Sequence, residues 1–259
     1  MASDAPEERA ESVRSVDRAL SIVGALAENR AALSVAELSN QMGLHPATVH
    51  RLLATLVRLG WIDQNSDTSR YKLGVRLLGM GAAVLHSHSL VQLGRESLRR
   101  LADVSECSSY LSVLTGRRVV YLARAGGKLG MSFEFEAGAS QPAHATADGK
   151  LLLAYLPESE REQLIERMEL HRYTEDTIVE ADELGRELAN IGSVGYAVDR
   201  GERWDFLQGI AVPVFDPHEA VIASLSCYGR IELSGETERH LRQEMMLIAE
   251  DLSHRLAIT

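Results

Sequence analysis

Cysteine is nearly absent from this chain: 259 residues carry two, Cys107 and Cys227. Neither stands in a C-x-x-C pair or a Cys/His ligand spacing, which excludes a disulfide scaffold and a structural zinc site and predicts two reduced thiols. Long apolar runs are missing too. No stretch reaches the roughly 18 residues that a membrane span requires, and the start "MASDAPEERAES" is acidic rather than basic and then apolar, so no export signal is read. The expectation is a cytoplasmic protein. Also absent are a G-x-S-x-G elbow and a phosphate-binding glycine loop, which weakens any nucleophilic or nucleotide-dependent chemistry. No cofactor and no metal are expected. What remains, 45% hydrophobic and 25% charged residues, is enough for one large or two smaller cores.

Charge is distributed unevenly. Overall the chain carries −10. Between Val13 and Met80, however, 8 basic residues face 5 acidic ones, while from Gly81 onward 18 basic face 28 acidic. A slightly basic head on an acidic body is what a DNA-reading module attached to a non-DNA-binding domain would show.

The head has local signals to match. "SVDRALSIVGALAENR" places Val16, Ala19, Leu20, Ile22, Val23 and Leu26 on one helical face, with Ser15 as its N-cap. "SVAE" at Ser34 to Glu37 is a capping box opening a second helix that Gly43 stops near Met42. His45 and Pro46 then start a third helix, because proline at the first helical position forfeits no hydrogen bond. Its apolar face is Val49, Leu52, Leu53, Leu56 and Val57.

A helix, a tight turn and a helix form a helix-turn-helix, whose second helix presents its N-terminal residues to base edges in the major groove. Ala47, Thr48, His50 and Arg51 are therefore the candidates for base or phosphate contact. After Gly60, "WIDQNSDTSRYKLG" reads as two short strands around a polar turn, a wing whose Arg70 and Lys72 can meet phosphates or the minor groove.

The rest reads as α+β. Residues Gly74 to Leu93 read as one helix whose apolar positions exceed what a small head can cover, and Leu93 to Val104 as another. Two strands flank the turn "TGR", a third lies in "GMSFEFEAG", and a hairpin turns at "DPHE". Short helices follow Thr146 and Pro157, a longer one spans "EADELGRELANIGSVG", and an amphipathic helix closes the chain. Thr146 can cap the helix beginning at Ala147, leaving backbone N–H groups near Ala147 and Asp148 to face an anion.

Five motifs, "SVDRALSIVGAL", "SVAELSNQMGLHPATVHRLLATLVRLGWI", "YKLGVRLLGMG", "HATADGKLLLAYLP" and "GYAVDRGERWDFLQGIAVPVFD", occur in the order and at the separations of the IclR family of bacterial transcriptional regulators. The chain resembles that family from about Val13 to Leu256. The resemblance implies a winged helix-turn-helix over 13–74 behind a disordered tail at 1–12. It also implies a linker and dimerisation helix over 75–93, and a GAF-like α/β effector-binding domain over 94–259. Its partners would be double-stranded operator DNA, a small-molecule effector and further copies of the chain, as dimers or dimers of dimers.

The same resemblance places the effector against Ala147, Asp148, Asp199, Gly209, Ser226 and Tyr228, with Leu207, Met131 and Phe133 as apolar walls. The expected effector is a carboxylate or aromatic catabolite whose genes the protein controls. The family commonly has an apolar or small residue where Asp148 stands, and often a larger side chain where Gly209 leaves a gap. If Asp148 faces the cavity, it favours a ligand with an amine or hydroxyl donor; if it faces the helix start, it is a dipole partner. The rival class is an enzyme with a DNA-binding head, using His144, Cys227, Asp199 and Ser226 as a nucleophilic set.

Overall fold

The computed structural model describes residues 13–29, 31–87, 89–127, 135–230 and 232–258. The expected tail at 1–12, and Met131 and Phe133 with most of the strand expected around them, lie outside these residues. Contacts divide the chain between Val84 and Leu85 into two compact units.

In the first unit, α1 (Arg14–Glu28), α2 (Val35–Met42) and α3 (Pro46–Arg58) enclose Ile22, Leu26, Leu38, Val49, Leu53, Leu56 and Ile62. The cap of α1 lies two residues before the expected one: Val13 holds the N-cap without a side-chain bond, and Ser15 lies inside the helix. The capping box on α2 is complete, with Ser34 Oγ accepting from the Glu37 N–H and the Ser34 N–H donating to Glu37. Gly43 ends α2 at φ 62°, a left-handed conformation in which a side chain would be strained. Two short antiparallel strands, β1 (Ile62–Gln64) and β2 (Tyr71–Leu73), form the wing, and Tyr71 pairs with Leu33 on its other side. Helix α4 (Arg76–Ser87) follows.

The segment expected as one helix from Gly74 to Leu93 is helical over Arg76–Ser87 and again from Ser89, with residue 88 outside the described residues. Its first part is α4; its second belongs to α5 (Ser89–Ser105), which absorbs the helix expected from Leu93. From Leu90 on, α5 buries Leu90, Val91, Leu98 and Leu101 in the second unit, whereas α4 leaves Leu78 and Val84 73% and 56% exposed.

Among the described residues, the second unit is a six-stranded antiparallel sheet with helices on both faces. Its strands are β3 (Ser108–Thr115), β4 (Arg118–Ala125), β5 (Ser140–Pro142), β6 (Ala197–Arg200), β7 (Gln208–Phe215) and β8 (Val221–Gly229), ordered β5-β4-β3-β8-β7-β6. The remaining helices are α6 (Ala147–Ala154), α7 (Glu158–Glu166), α8 (Ala181–Val194) and α9 (Gly235–Ala257). Because side chains alternate along a strand, the sheet has two cores. Cys107, Leu111, Ile210, Val212, Leu225 and Cys227 pack with α5 and α9. Tyr110, Tyr121, Ala211 and Tyr228 pack with α6 and α8 on the other face.

Candidate functional site

The first unit presents the start of α3 to solvent. His45 is its N-cap, with Nδ1 accepting from the Ala47 N–H at 3.2 Å, and Pro46 follows at the first position. Ala47, His50 and Arg51 are exposed and Thr48 half-buried, while Val49 and Leu53 point into the core. This is the surface that a recognition helix must leave free.

The wing is held rigid at its turn, where Asn65 Oδ1 accepts from the N–H groups of Asp67 and Thr68 at 2.9 and 2.8 Å. Lys72 is exposed on β2. Arg70 departs from the expectation of a free phosphate contact. Its guanidinium donates to both Glu37 oxygens at 3.0 and 3.1 Å and to the Ala32 carbonyl at 2.6 Å. It braces the wing on the start of α2, because the Glu37 carboxylate that closes the capping box is within reach of a bidentate partner. Ser34's hydroxyl and N–H, and then Arg70, hold the Glu37 carboxyl down at about 2.

In the second unit, α6 lies across β3, β7 and β8. Thr146 caps it as expected, accepting from the Gly149 N–H at 3.2 Å. The neighbouring donor is not free for an anion, because the Ala147 N–H donates to the Tyr228 hydroxyl at 2.9 Å. That hydroxyl donates in turn to Asp148 Oδ1, and Ser112 donates to Asp148 Oδ2 at 3.2 Å. Asp148 thus faces neither open solvent nor the helix start alone. It is completely buried among the phenols on the sheet, and burial raises its carboxyl above the ordinary range, with Tyr228 opposing.

The gap expected at Gly209 is filled by the same tyrosine. Gly209 pairs with Tyr228 across β7 and β8, and a Cβ on it would lie 2.2 Å from the Tyr228 ring. Leu207 is buried in the core on this face. Asp199, expected as a ligand contact, sits on β6 and is 1% exposed; its Oδ1 accepts from the N–H groups of Gly201 and Glu202 at 3.0 and 2.7 Å. Burial and then the Glu202 charge raise Asp199 to about 8.

Ser226 lies on the face of β8 that carries Tyr228, completely buried, and its hydroxyl has no hydrogen-bond partner among the described residues; Ser224 shares both properties. Reading the sequence residue by residue did not find the aromatic neighbours. Tyr110 lies with its ring centroid 5.0 Å from Tyr121, 5.6 Å from Phe135 and 6.0 Å from Tyr228. The alternation in "SSYLSVL" already puts Tyr110 and Ser112 on one face. Nothing local announces Lys150, a buried lysine whose Nζ donates to Glu187, Glu202 and the Val198 carbonyl.

The nucleophilic set does not assemble. Cys227 lies on the opposite face of β8 from Ser226, with its thiol 3.8 Å from the Met245 sulfur and pushed up by burial. His144 Nε2 is 3.1 Å from the His171 carbonyl. Two clefts lie away from the expected site: one of about 620 Å³ beside β7 and α9, lined in part by Phe215 and Met246, and one of about 600 Å³ bordered by Lys150, Glu187 and Glu202.

Comparison with known proteins agrees with this arrangement. Residues 15–66 match the IclR helix-turn-helix domain, and residues 82–254 match the bacterial transcriptional regulator IclR C-terminal family. The HTH-type transcriptional regulator XynR of Escherichia coli (strain K12) is 36% identical over 214 residues, 83% of this chain and 85% of the relative. A solved IclR transcriptional regulator from Silicibacter sp. TM1040 shares the fold with a TM-score of 0.82 at 24% identity, over 93% of this chain and 96% of that one. An IclR homolog from Microbacterium hydrocarbonoxydans, complexed with 4-hydroxybenzoate, aligns with a TM-score of 0.68 at 25% identity over 92% and 98%. With the family matched in both units, this chain belongs to the IclR family of transcriptional regulators, which bind operator DNA and small-molecule effectors and are not enzymes.

Proposed function

We propose that this protein is a homo-oligomeric regulator in the cytoplasm that senses a small metabolite beneath α6 and controls genes of its catabolism. Ala47, Thr48, His50 and Arg51 contact the operator from the start of α3, Lys72 meets phosphate from the wing, and Arg70 positions that wing. The observation that carries the DNA-binding part is the α3 start itself: exposed on its polar side, capped by His45, and packed on Val49 and Leu53 behind. Two subunits pair through α4, whose Leu78 and Val84 are exposed apolar residues. A two-fold operator requires two such heads.

The effector site is framed by Ala147, Asp148, Asp199, Leu207, Gly209, Ser226 and Tyr228. The unpartnered, buried hydroxyl of Ser226 supports this location, because a buried polar atom without a partner is costly unless something can satisfy it. The 4-hydroxybenzoate bound by the Microbacterium hydrocarbonoxydans homolog gives the size of ligand such a domain accepts.

Operator binding by fluorescence anisotropy tests the reading. Arg51→Ala should cost about 1 to 3 kcal/mol if the side chain reads a base, while Lys72→Ala should weaken all sequences alike and flatten the salt dependence. Ser226→Ala should leave operator affinity intact and blunt release by the effector. Unchanged operator affinity in Arg51→Ala and Lys72→Ala, with the fold intact, removes the assignment of these contacts.

A further inference from the structure

An effector bound beneath α6 would meet a fixed set of groups. The start of a helix is where backbone N–H groups and the dipole would draw a ligand carboxylate. Here hydroxyls of the chain itself occupy that position. The Ala147 N–H is bonded to the Tyr228 hydroxyl at 2.9 Å and the Gly149 N–H to Thr146 Oγ1 at 3.2 Å. Tyr228 and Ser112 both donate onward to Asp148, and all three side chains are completely buried. A second buried carboxyl, Asp199, acts with Asp148 on the Tyr121 and Tyr228 phenols.

Two cations of this unit are engaged elsewhere. Lys150 is held by Glu187, Glu202 and the Val198 carbonyl, and the Arg203 guanidinium lies 3.7 Å over the Tyr173 ring. The groups left to meet a ligand are the unpartnered hydroxyls of Ser224 and Ser226 and the faces of a tyrosine-rich cluster.

We propose that Asp148 is a specificity-determining residue that selects an effector bearing a protonated amine and disfavours a simple carboxylate; this rests on the effector site lying beneath α6. A ligand carboxylate would find the helix-start donors occupied and a like-charged group beside them. An ammonium group gains the attraction of the Asp148 carboxyl, a serine hydroxyl as acceptor and the negative faces of the aromatic rings.

Matched probes test this on the full chain by isothermal titration: benzylamine against benzoate, phenethylamine against phenylacetate, and n-butylamine against butyrate. The wild-type protein should bind at least one amine more tightly than its carboxylate partner by about tenfold or more. Asp148→Asn, which keeps the size of the side chain, should remove that preference by weakening the amine and strengthening the carboxylate, with folding checked by circular dichroism. Binding of no amine, or an unchanged preference in Asp148→Asn, overturns the role of Asp148. Carboxylate binding that Ser226→Ala abolishes sinks the amine while keeping the site beneath α6. Binding indifferent to both Ser226→Ala and Asp199→Asn sinks the site, and the proposal with it.

Discussion

Gly209→Ala is the sharpest test of how the space beneath α6 is filled. The added Cβ would stand 2.2, 2.4 and 2.7 Å from Cε1, Cδ1 and Cζ of Tyr228, where ordinary contact begins at 3.4 Å. The ring must therefore retreat by about 1 Å, but it is completely buried, beside Tyr110 at 6.0 Å, and its hydroxyl is fixed by the Ala147 N–H and Asp148. Overpacking of this kind costs about 1 to 3 kcal/mol, and breaking the bond to Asp148 adds about 1.5 to 3 kcal/mol, so a loss near 4 kcal/mol is expected. Trp61 and Trp204 are the two tryptophans, so a Trp61→Phe background leaves Trp204 to report urea unfolding of the second unit alone. In a Tyr228→Phe background the hydrogen-bond part disappears and Gly209→Ala should cost only the overpacking part. In Tyr228→Ala it should cost under about 0.5 kcal/mol. A loss below about 1 kcal/mol in the wild-type background, or strictly additive double variants, refutes the packing of ring on glycine.

Three further outcomes are expected. His45→Ala should destabilise the first unit by about 1 kcal/mol through loss of the α3 cap and weaken operator binding, while His45→Asn retains both; thermal unfolding and anisotropy measure this. Leu78→Glu combined with Val84→Glu should shift the oligomer to monomer in light scattering and lower operator affinity with it, since charge would be placed at a joined apolar face. Asp199 is raised to about 8 when folded, against about 3.9 unfolded, so the folded state holds its proton more tightly and this residue's contribution to stability falls as pH rises between those values. Asp199→Asn keeps the acceptor for Gly201 and Glu202 and should flatten the stability profile across that window, as urea unfolding at stepped pH would read.

The sequence by itself determined the elements whose causes are local. The Ser34–Glu37 box, the left-handed Gly43, Pro46 behind His45 and the Thr146 cap each act within about four residues, so the helix-turn-helix and the start of α6 were legible, and with them the family. The hairpin of β7 and β8 was legible for the same reason, since its turn at Asp216 to Ala220 closes on itself.

Tertiary structure decided what depends on distant partners. Strands β5 and β6 are three and four residues long and owe their conformation to pairing with β4 and β7, so periodicity could not announce them. That α5 is buried from Leu90 on and runs past Leu93 to Ser105 follows from the core it packs against. Arg70 was expected outward until Glu37, 33 residues away, took its guanidinium. Asp148 was read as a cavity-facing group or a dipole partner and Gly209 as a gap; Tyr228, 80 residues from Asp148 in sequence, turned them into one packed, hydrogen-bonded unit. Spacing along a chain reports which face a residue occupies, but only the folded sheet, by setting β8 between β3 and β7, decides which side chains share the space under that face.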